Sequence, residues 1–187
     1  MSLRNAVLGF LSVAPSTGYD LKSHFDGSVR QFWTADQAQI YRVLGQLAQD
    51  GLVTVEVIPQ PDRPDRKVHH ITPAGLAELD GWLASPLDAQ TVREPFLLRL
   101  FFAGRLGAAG VLDLIDARTA AAEGQLAALG AVRAQQPNPA DLERALRLAT
   151  LDNGIRHTQT ELDWLRDLRG TVTTNTTTTT TTKEQEQ

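Results

Sequence analysis

Apolar positions in the first half of the chain recur at helical spacing up to Leu52, then alternate, then return to helical spacing. Leu3, Val7, Phe10 and Leu11 form one face of a first helix, which stops near Ala14-Pro15 because proline disfavours a helical residue before it. Ser16-Thr17-Gly18 reads as a turn and cap. A second helix runs from Tyr19 to about Phe25, with Leu21 and Phe25 inward, and ends at Asp26-Gly27. Phe32 and Trp33 read as core plugs in the connection that follows. The third helix, Asp36 to Asp50, sets Ile40, Val43, Leu44 and Leu47 on one stripe and Gln39, Arg42, Gln46 and Gln49 on the other. Asp36 is placed to cap it, with Gln39 completing a capping box and Thr34 with Gln37 offering the same box one frame earlier. Gly51 supplies the left-handed residue that closes it. The solvent stripe carries amides, an Arg and nearby Tyr41, with no acid before Asp50, and amide and guanidinium groups are what base edges and phosphates require.

From Val53 the period is two. Val53, Val55 and Val57 alternate with Thr54, Glu56 and Ile58, which predicts a half-buried strand. Residues 59–66 contain three prolines and cannot be strand interior; Lys67 to Ile71 alternates again and returns antiparallel. The product is a hairpin with a stiff protruding tip, a wing, bearing Arg63, Arg66 and Lys67. Thr72-Pro73 caps a fourth helix whose stripe is Leu76, Leu79 and Leu83, with Trp82 beside it. Residues 85–95 read as a proline-bounded linker. Beyond them Phe96 to Phe102 (FLLRLFF) predicts a helix buried between other helices. One long Ala-rich helix follows from Leu106 to about Gln135, with Val111, Leu112, Ile115, Ala122, Leu126, Leu129 and Val132 inward. Asn138 then caps a last helix begun by Pro139, with Leu142, Leu146, Ala149, Ile155, Leu162 and Leu165 inward, to about Arg169. The threonine-rich segment 171–187 reads as a disordered tail. A hairpin of two helices, each on the order of 45 Å long, has two faces and no third long helix to cover them, so self-association as a two-fold dimer is expected.

Composition narrows the function. The chain has 187 residues, 42% hydrophobic and 21% charged, ordinary for one or two small domains. There is no cysteine, so disulfides, thiolate zinc sites and cysteine nucleophiles are excluded. No apolar run approaches the roughly 20 residues of a bilayer span, the first residues lack a small-residue cleavage site, and a cytoplasmic protein is expected. No phosphate loop, paired-carboxylate motif or nucleophile elbow is present. His69 and His70 alternate on a strand and cannot share a metal; His24 and His157 are isolated. Neither an enzyme nor a metal or cofactor site is expected. Net charge is −4 and the isoelectric point about 5.5; residues 1–90 hold seven Lys or Arg against ten Asp or Glu. Any DNA affinity should therefore be modest and salt-sensitive, with few phosphate contacts per half-site.

Together, Leu8-Gly9-Phe10-Leu11, Gly18-Tyr19-Asp20-Leu21, Phe32-Trp33, Gln39 to Leu44, Leu47, Asp50 to Val53, Arg66-Lys67 and Ile71 to Gly75 resemble the N-terminal winged-helix domain of the PadR family of bacterial transcriptional regulators. Residues 95–169 resemble the helical C-terminal region of members with a virulence-activator-type extension. Many members have proline after the tyrosine of the third helix, where this chain has Arg42. The resemblance implies a mainly α fold: an N-terminal winged helix-turn-helix (three helices, a β-hairpin wing and a fourth helix; residues 1–84), a linker (85–95) and a C-terminal long-helix hairpin for dimerisation and effector binding (96–170). It also implies a homodimeric repressor on palindromic operator DNA. Gln37, Gln39, Tyr41 and Arg42 would meet bases or phosphates, and Tyr19, Lys22, Arg63, Arg66 and Lys67 would meet phosphates. A small aromatic or hydrophobic effector would be lined by Trp82, Phe96, Phe101, Phe102 and Trp164. The competing expectation is a winged-helix protein–protein interaction module that does not bind DNA.

Overall fold

In α1 (Leu3–Val13) the residues three and four apart, Val7, Leu8 and Leu11, are the buried ones, and they seed the core on which the next elements settle. The computed structural model describes residues 3–30, 32–61, 63–87 and 93–184, with side-chain surroundings as far as Thr174. It divides into two compact units, Met1–Gln90 and Thr91–Gln187. Residues 88–92 of the expected linker, and Asp62 in the wing, lie outside the described residues.

α2 (Gly18–His24) starts from a capping box: Thr17 Oγ1 accepts from the Asp20 N–H at 3.1 Å, and the Asp20 carboxylate accepts from the Thr17 N–H at 3.2 Å. It does not stop at Asp26-Gly27. It widens into a π-turn, Phe25–Val29, which seats the Phe25 ring edge-on to Phe10 at 4.7 Å and lets the Trp33 N–H reach the Val29 carbonyl at 2.7 Å. Of the two expected plugs only Trp33 packs on the core; Phe32 is 57% exposed, because the chain leaving the π-turn aims consecutive side chains in different directions. α3 (Gln37–Gln49) is capped by Asp36, which accepts from the Ala38 N–H at 3.0 Å. Among the described residues Gln39 makes no return bond, so the cap is half of the expected box. Gly51, at φ +72°, closes the helix.

β1 (Val53–Ile58) and β2 (Arg66–Ile71) pair antiparallel from Val53↔Ile71 to Ile58↔Arg66. The expected half-buried strand is buried only at its root, Val53. A two-stranded ribbon that extends past the core has no second layer to cover Val55 and Val57. α4 (Pro73–Leu83) has Thr72 as N-cap and Pro73 at its start. Its inward stripe is Gly75, Leu79 and Trp82, whereas Leu76 and Leu83 are exposed. Gly75 sets this phase, since it lies so close to the Leu52 carbonyl that a Cβ would sit 2.3 Å from the oxygen.

Arg4 ties three of these helices together. Its guanidinium donates to Glu78 of α4 and to Asp50 at the C-terminus of α3, both at 2.6 Å, and placing a cation near that carbonyl-rich end is favourable. Because the groups are partly exposed, the network is worth about 1 kcal/mol. Arg4→Ala should lower the melting temperature of the first unit by roughly 4 °C, read by near-UV circular dichroism.

In the second unit α5 (Pro95–Phe102) is helical but not buried; Phe101 is 82% exposed, and no residue of the helix is fully covered. An apolar run states that something must cover it without stating that the cover lies in the same chain. A 3-10 turn, Ala103–Leu106, and Gly107 at φ +67° separate it from α6 (Gly107–Ala134). By length and composition alone Pro95–Ala134 is apolar enough to cross a membrane, with mean hydropathy 1.4 in its best window, although no unbroken apolar run in it approaches the roughly 20 residues of a span. Gly107 interrupts the stretch, and Asp116, Arg118 and Arg133 of α6 form ion pairs with α7.

α7 (Leu142–Glu184) begins at Asp141, which accepts from the Arg144 N–H at 2.7 Å, rather than at Asn138-Pro139. Ile115, Ala122 and Leu129 of α6, seven residues apart, and Leu148, Leu151, Thr158, Leu162 and Leu165 of α7 are buried in a heptad seam. Leu142, Leu146 and Ala149, expected inward, are exposed; their spacing follows a neighbouring stripe of the same helix. Arg118–Glu161, Arg133–Asp152 and Arg169–Asp116 flank the seam at 2.6, 2.9 and 2.7 Å. The threonine run does not end the helix, which continues to Glu184. Thr171, Thr173 and Thr174 each donate to the carbonyl four residues back, satisfying hydroxyls that would otherwise compete with the helix.

Candidate nucleic-acid interface

The solvent stripe of α3 is built by the burial of its opposite face. With Ile40, Leu44 and Leu47 enclosed, Gln37, Gln39, Tyr41 and Arg42 stand exposed along its first turns. Tyr41 is half exposed, and its ring rests on the start of α2, where a Cβ on Gly18 would lie 2.5 Å from Tyr41 Cε1. Exposed Tyr19 occupies the next position on α2. The Gly-Tyr pair thus lets an aromatic of α3 lie across the N-terminus of α2 beside a second aromatic. These groups offer hydroxyl, amide and guanidinium hydrogen bonds on one unit.

The wing is anchored to the same region. Ser16 and His69 exchange backbone hydrogen bonds, Ser16 N–H to His69 at 3.2 Å and His69 N–H to Ser16 at 2.9 Å, so the α1–α2 turn acts as a short third strand beside β2. Arg66 donates to Asp20 at 3.2 Å, and Lys22 to Asp26 at 2.5 Å. Arg63 and Lys67 are exposed. Asp20 is held below the ordinary carboxylate range, mainly by the Thr17 hydroxyl; burial opposes this next, and the Thr17 N–H and then Arg66 add to the lowering. Sequence reasoning placed the cations but missed both carboxylates that hold them. Ser16-Thr17-Gly18 read as a turn and cap; nothing in it signalled the Asp20–Arg66 pair, 46 residues apart.

His69 and His70 do point to opposite faces. His70 pairs with Glu56 at 2.9 Å in solvent, whereas His69 is 7% exposed and its Nδ1 has no partner among the described residues. Burial, then the positive charges of Lys67 and His70, lower the His69 imidazole below its ordinary value, with the Ser16 backbone opposing in part. The unfolded chain takes up this proton first. Stability of the first unit should therefore hold above about pH 6.5 and decline as pH falls below it. Urea midpoints of the parent and His69→Gln at pH 8 and pH 5 check this, the variant losing less of its midpoint on acidification.

The residues expected to line an effector site divide between the units. Trp82 packs on the core of the first. In the second, Phe96 and Trp164 meet edge to face at 6.2 Å, and Arg118, paired with Glu161, lies 5.7 Å over the Phe96 ring. Phe101 and Phe102 meet each other at 5.0 Å on the open side of α5.

Comparison with known proteins then decides the family. A model described as the transcriptional regulator PadR-like family matches residues 7–81, and one described as virulence activator alpha C-term matches residues 92–172. A probable transcriptional regulator of Mycobacterium tuberculosis is 31% identical over 90% of this chain and 96% of its own. The chain belongs to the PadR-like family of transcriptional regulators. The negative transcriptional regulator PadR of Bacillus subtilis is 33% identical to this PadR-like chain over 60% of it and 62% of the relative. The crystal structure of Bacillus subtilis PadR in complex with operator DNA superposes with a TM-score of 0.80 at 25% identity, covering 91% of this chain and 98% of that one. The same protein with p-coumaric acid has a TM-score of 0.75 at 24% identity, covering 91% and 98%. This PadR-like regulator thus has relatives that control transcription and are not enzymes, and its fold is the mainly α winged architecture with long C-terminal helices.

Proposed function

We propose that the protein is a cytoplasmic homodimeric repressor that binds palindromic operator DNA. α3 enters the major groove with Gln37, Gln39, Tyr41 and Arg42, while Tyr19, Lys22 and the wing cations Arg63, Arg66 and Lys67 meet the flanking backbone. The observation that carries this reading is the exposed row of amide, phenol and guanidinium groups on α3, at the helix end that such motifs present to bases. The Bacillus subtilis relative named as a negative regulator supports repression. Dimerisation is supported by the large apolar side chains left in solvent on the second unit, Leu98, Phe101, Phe102, Leu142 and Leu146 among them, which two copies can cover together.

Selection of bound duplex from random sequence, followed by sedimentation of the complex, tests the whole reading. A recovered inverted repeat bound by two chains is expected; a monomer, or no enrichment at low salt, overturns it. The acidic balance of residues 1–90 favours the second reading, a docking module for another protein, and absence of any shift at low salt would favour that module. An effector that releases the operator is proposed near Phe96, Phe101, Phe102 and Trp164 of the second unit. Quenching of tryptophan fluorescence across a panel of aromatic acids reads it directly, and a flat response excludes that class.

A further inference from the structure

Two of the cations expected to meet phosphate already hold carboxylates. Arg66 Nη2 lies 3.2 Å from Asp20 Oδ2, and Lys22 Nζ lies 2.5 Å from Asp26 Oδ1. No described residue forms an ion pair with Arg30, Arg42, Arg63 or Lys67. The Asp20 carboxylate is fixed without Arg66, because the same Oδ2 accepts from the Thr17 hydroxyl at 2.9 Å and the Thr17 N–H at 3.2 Å. It is a positioned anion on α2, held up to Arg66 at the outer end of β2.

We propose that Asp20 is an internal substitute for a DNA phosphate, occupying Arg66 until α3 and the wing dock together, and so setting the discrimination between operator and other DNA. The proposal rests on the reading that this face binds duplex. Loose association with arbitrary DNA draws almost entirely on cations neutralising phosphates. A guanidinium already neutralised by Asp20 adds little to it, and the carboxylate it leaves behind faces the backbone. In the fully docked complex, base contacts by α3 compensate for the exchange; on non-operator sequence nothing does. Arg66 and Asp20 are both more than a third exposed, so the pair is weak enough to trade partners readily.

Asp20→Asn removes the charge and keeps an amide oxygen for the Thr17 N–H, so α2 keeps its cap; an unchanged melting curve verifies this. Dissociation constants are measured on full-length protein, for the selected operator and a scrambled duplex of equal length, across a salt series. Asp20→Asn should bind the scrambled duplex roughly five- to tenfold more tightly, counting two copies per dimer. The operator should gain less, so the ratio of the two falls. The salt slope on scrambled DNA should steepen by about one for each cation released.

In an Arg66→Gln background Asp20→Asn should tighten scrambled DNA clearly less than in the parent, keeping only the relief of its repulsion from phosphate, and Arg66→Gln alone should weaken the operator complex. Equal tightening in both backgrounds would reduce Asp20 to one acid among ten and overturn the proposal, as would an unchanged scrambled affinity in a parent that does bind operator. If the parent binds neither duplex, the DNA reading itself has failed and this inference falls with it.

Discussion

Gly75→Ala should cost the winged unit about 3 kcal/mol or more, lowering its melting temperature by roughly 12 °C or more and abolishing operator binding at ordinary growth temperature. The glycine is the third residue of α4, and an added Cβ would lie 2.3 Å from the Leu52 carbonyl oxygen and 2.8 Å from Ile71 Cγ1. Neither obstacle moves freely. The Leu52 carbonyl accepts the Thr72 N–H at 2.9 Å, while the Thr72 hydroxyl donates to the Gly51 carbonyl at 2.9 Å and accepts the Gly75 N–H at 3.1 Å. One methyl group therefore opposes the knot that joins the end of α3, the root of the wing and the start of α4. Thermal melts followed by tryptophan fluorescence and by far-UV ellipticity measure it. Much of the helical signal belongs to α6 and α7 and should persist past the loss of the first transition. A variant that melts with the parent would show that α4 can shift without disturbing the wing.

Gly18→Ala should leave the fold nearly intact and weaken operator binding by about tenfold. Here the obstacle is the edge of the Tyr41 ring, 2.5 to 3.0 Å from the built Cβ, and a half-exposed side chain can swing away at a cost below about 1.5 kcal/mol. What changes is the surface. Tyr41 is lifted off the start of α2, and the contacts it offers are no longer preorganised. Tyr41→Ala should match the affinity loss of Gly18→Ala, and the double variant should lose no more than either alone, because both remove the same positioned ring. Titration of a labelled operator by anisotropy reads all three, with urea midpoints confirming that stability is spared. Additive losses would mean that Gly18 acts on something other than Tyr41.

The helices and the wing of the first unit are legible from sequence wherever one residue type has one use. Asp36 and Thr72 are caps, Gly51 is a left-handed terminator and Pro73 is a helix starter; each marks a boundary by its own chemistry. Phase was harder to read. Leu76, Leu79 and Leu83 make a credible stripe, but Gly75 pulls the helix face toward itself, and a glycine carries no hydrophobic signal. In the second unit leucines stand on neighbouring stripes of α7, and the choice between Leu146 and Leu148 falls to packing that no window of sequence contains. The burial of α5 failed for another reason, since FLLRLFF gives the need for cover and not its source. In the candidate interface the exposed row on α3 follows from the buried row opposite it. The pairing of Arg66 with Asp20 links residues far apart in the chain, and periodicity has no access to it.

The α6–α7 seam has a further consequence. Apart from Thr158, the seam is apolar side chains, Ile115, Ala122 and leucines, which give each helix little by which to find its place along the other. The distinguishing marks are ionic: Arg169 with Asp116, Arg133 with Asp152 and Arg118 with Glu161. A slide of α7 by one turn, about 5.4 Å, would part all three pairs and carry Thr158 from its place in the seam. The hairpin is thus a slide rule whose setting is kept by charge, and anything that draws Glu161 from Arg118 loosens the stop that keeps the far end of α7 in place.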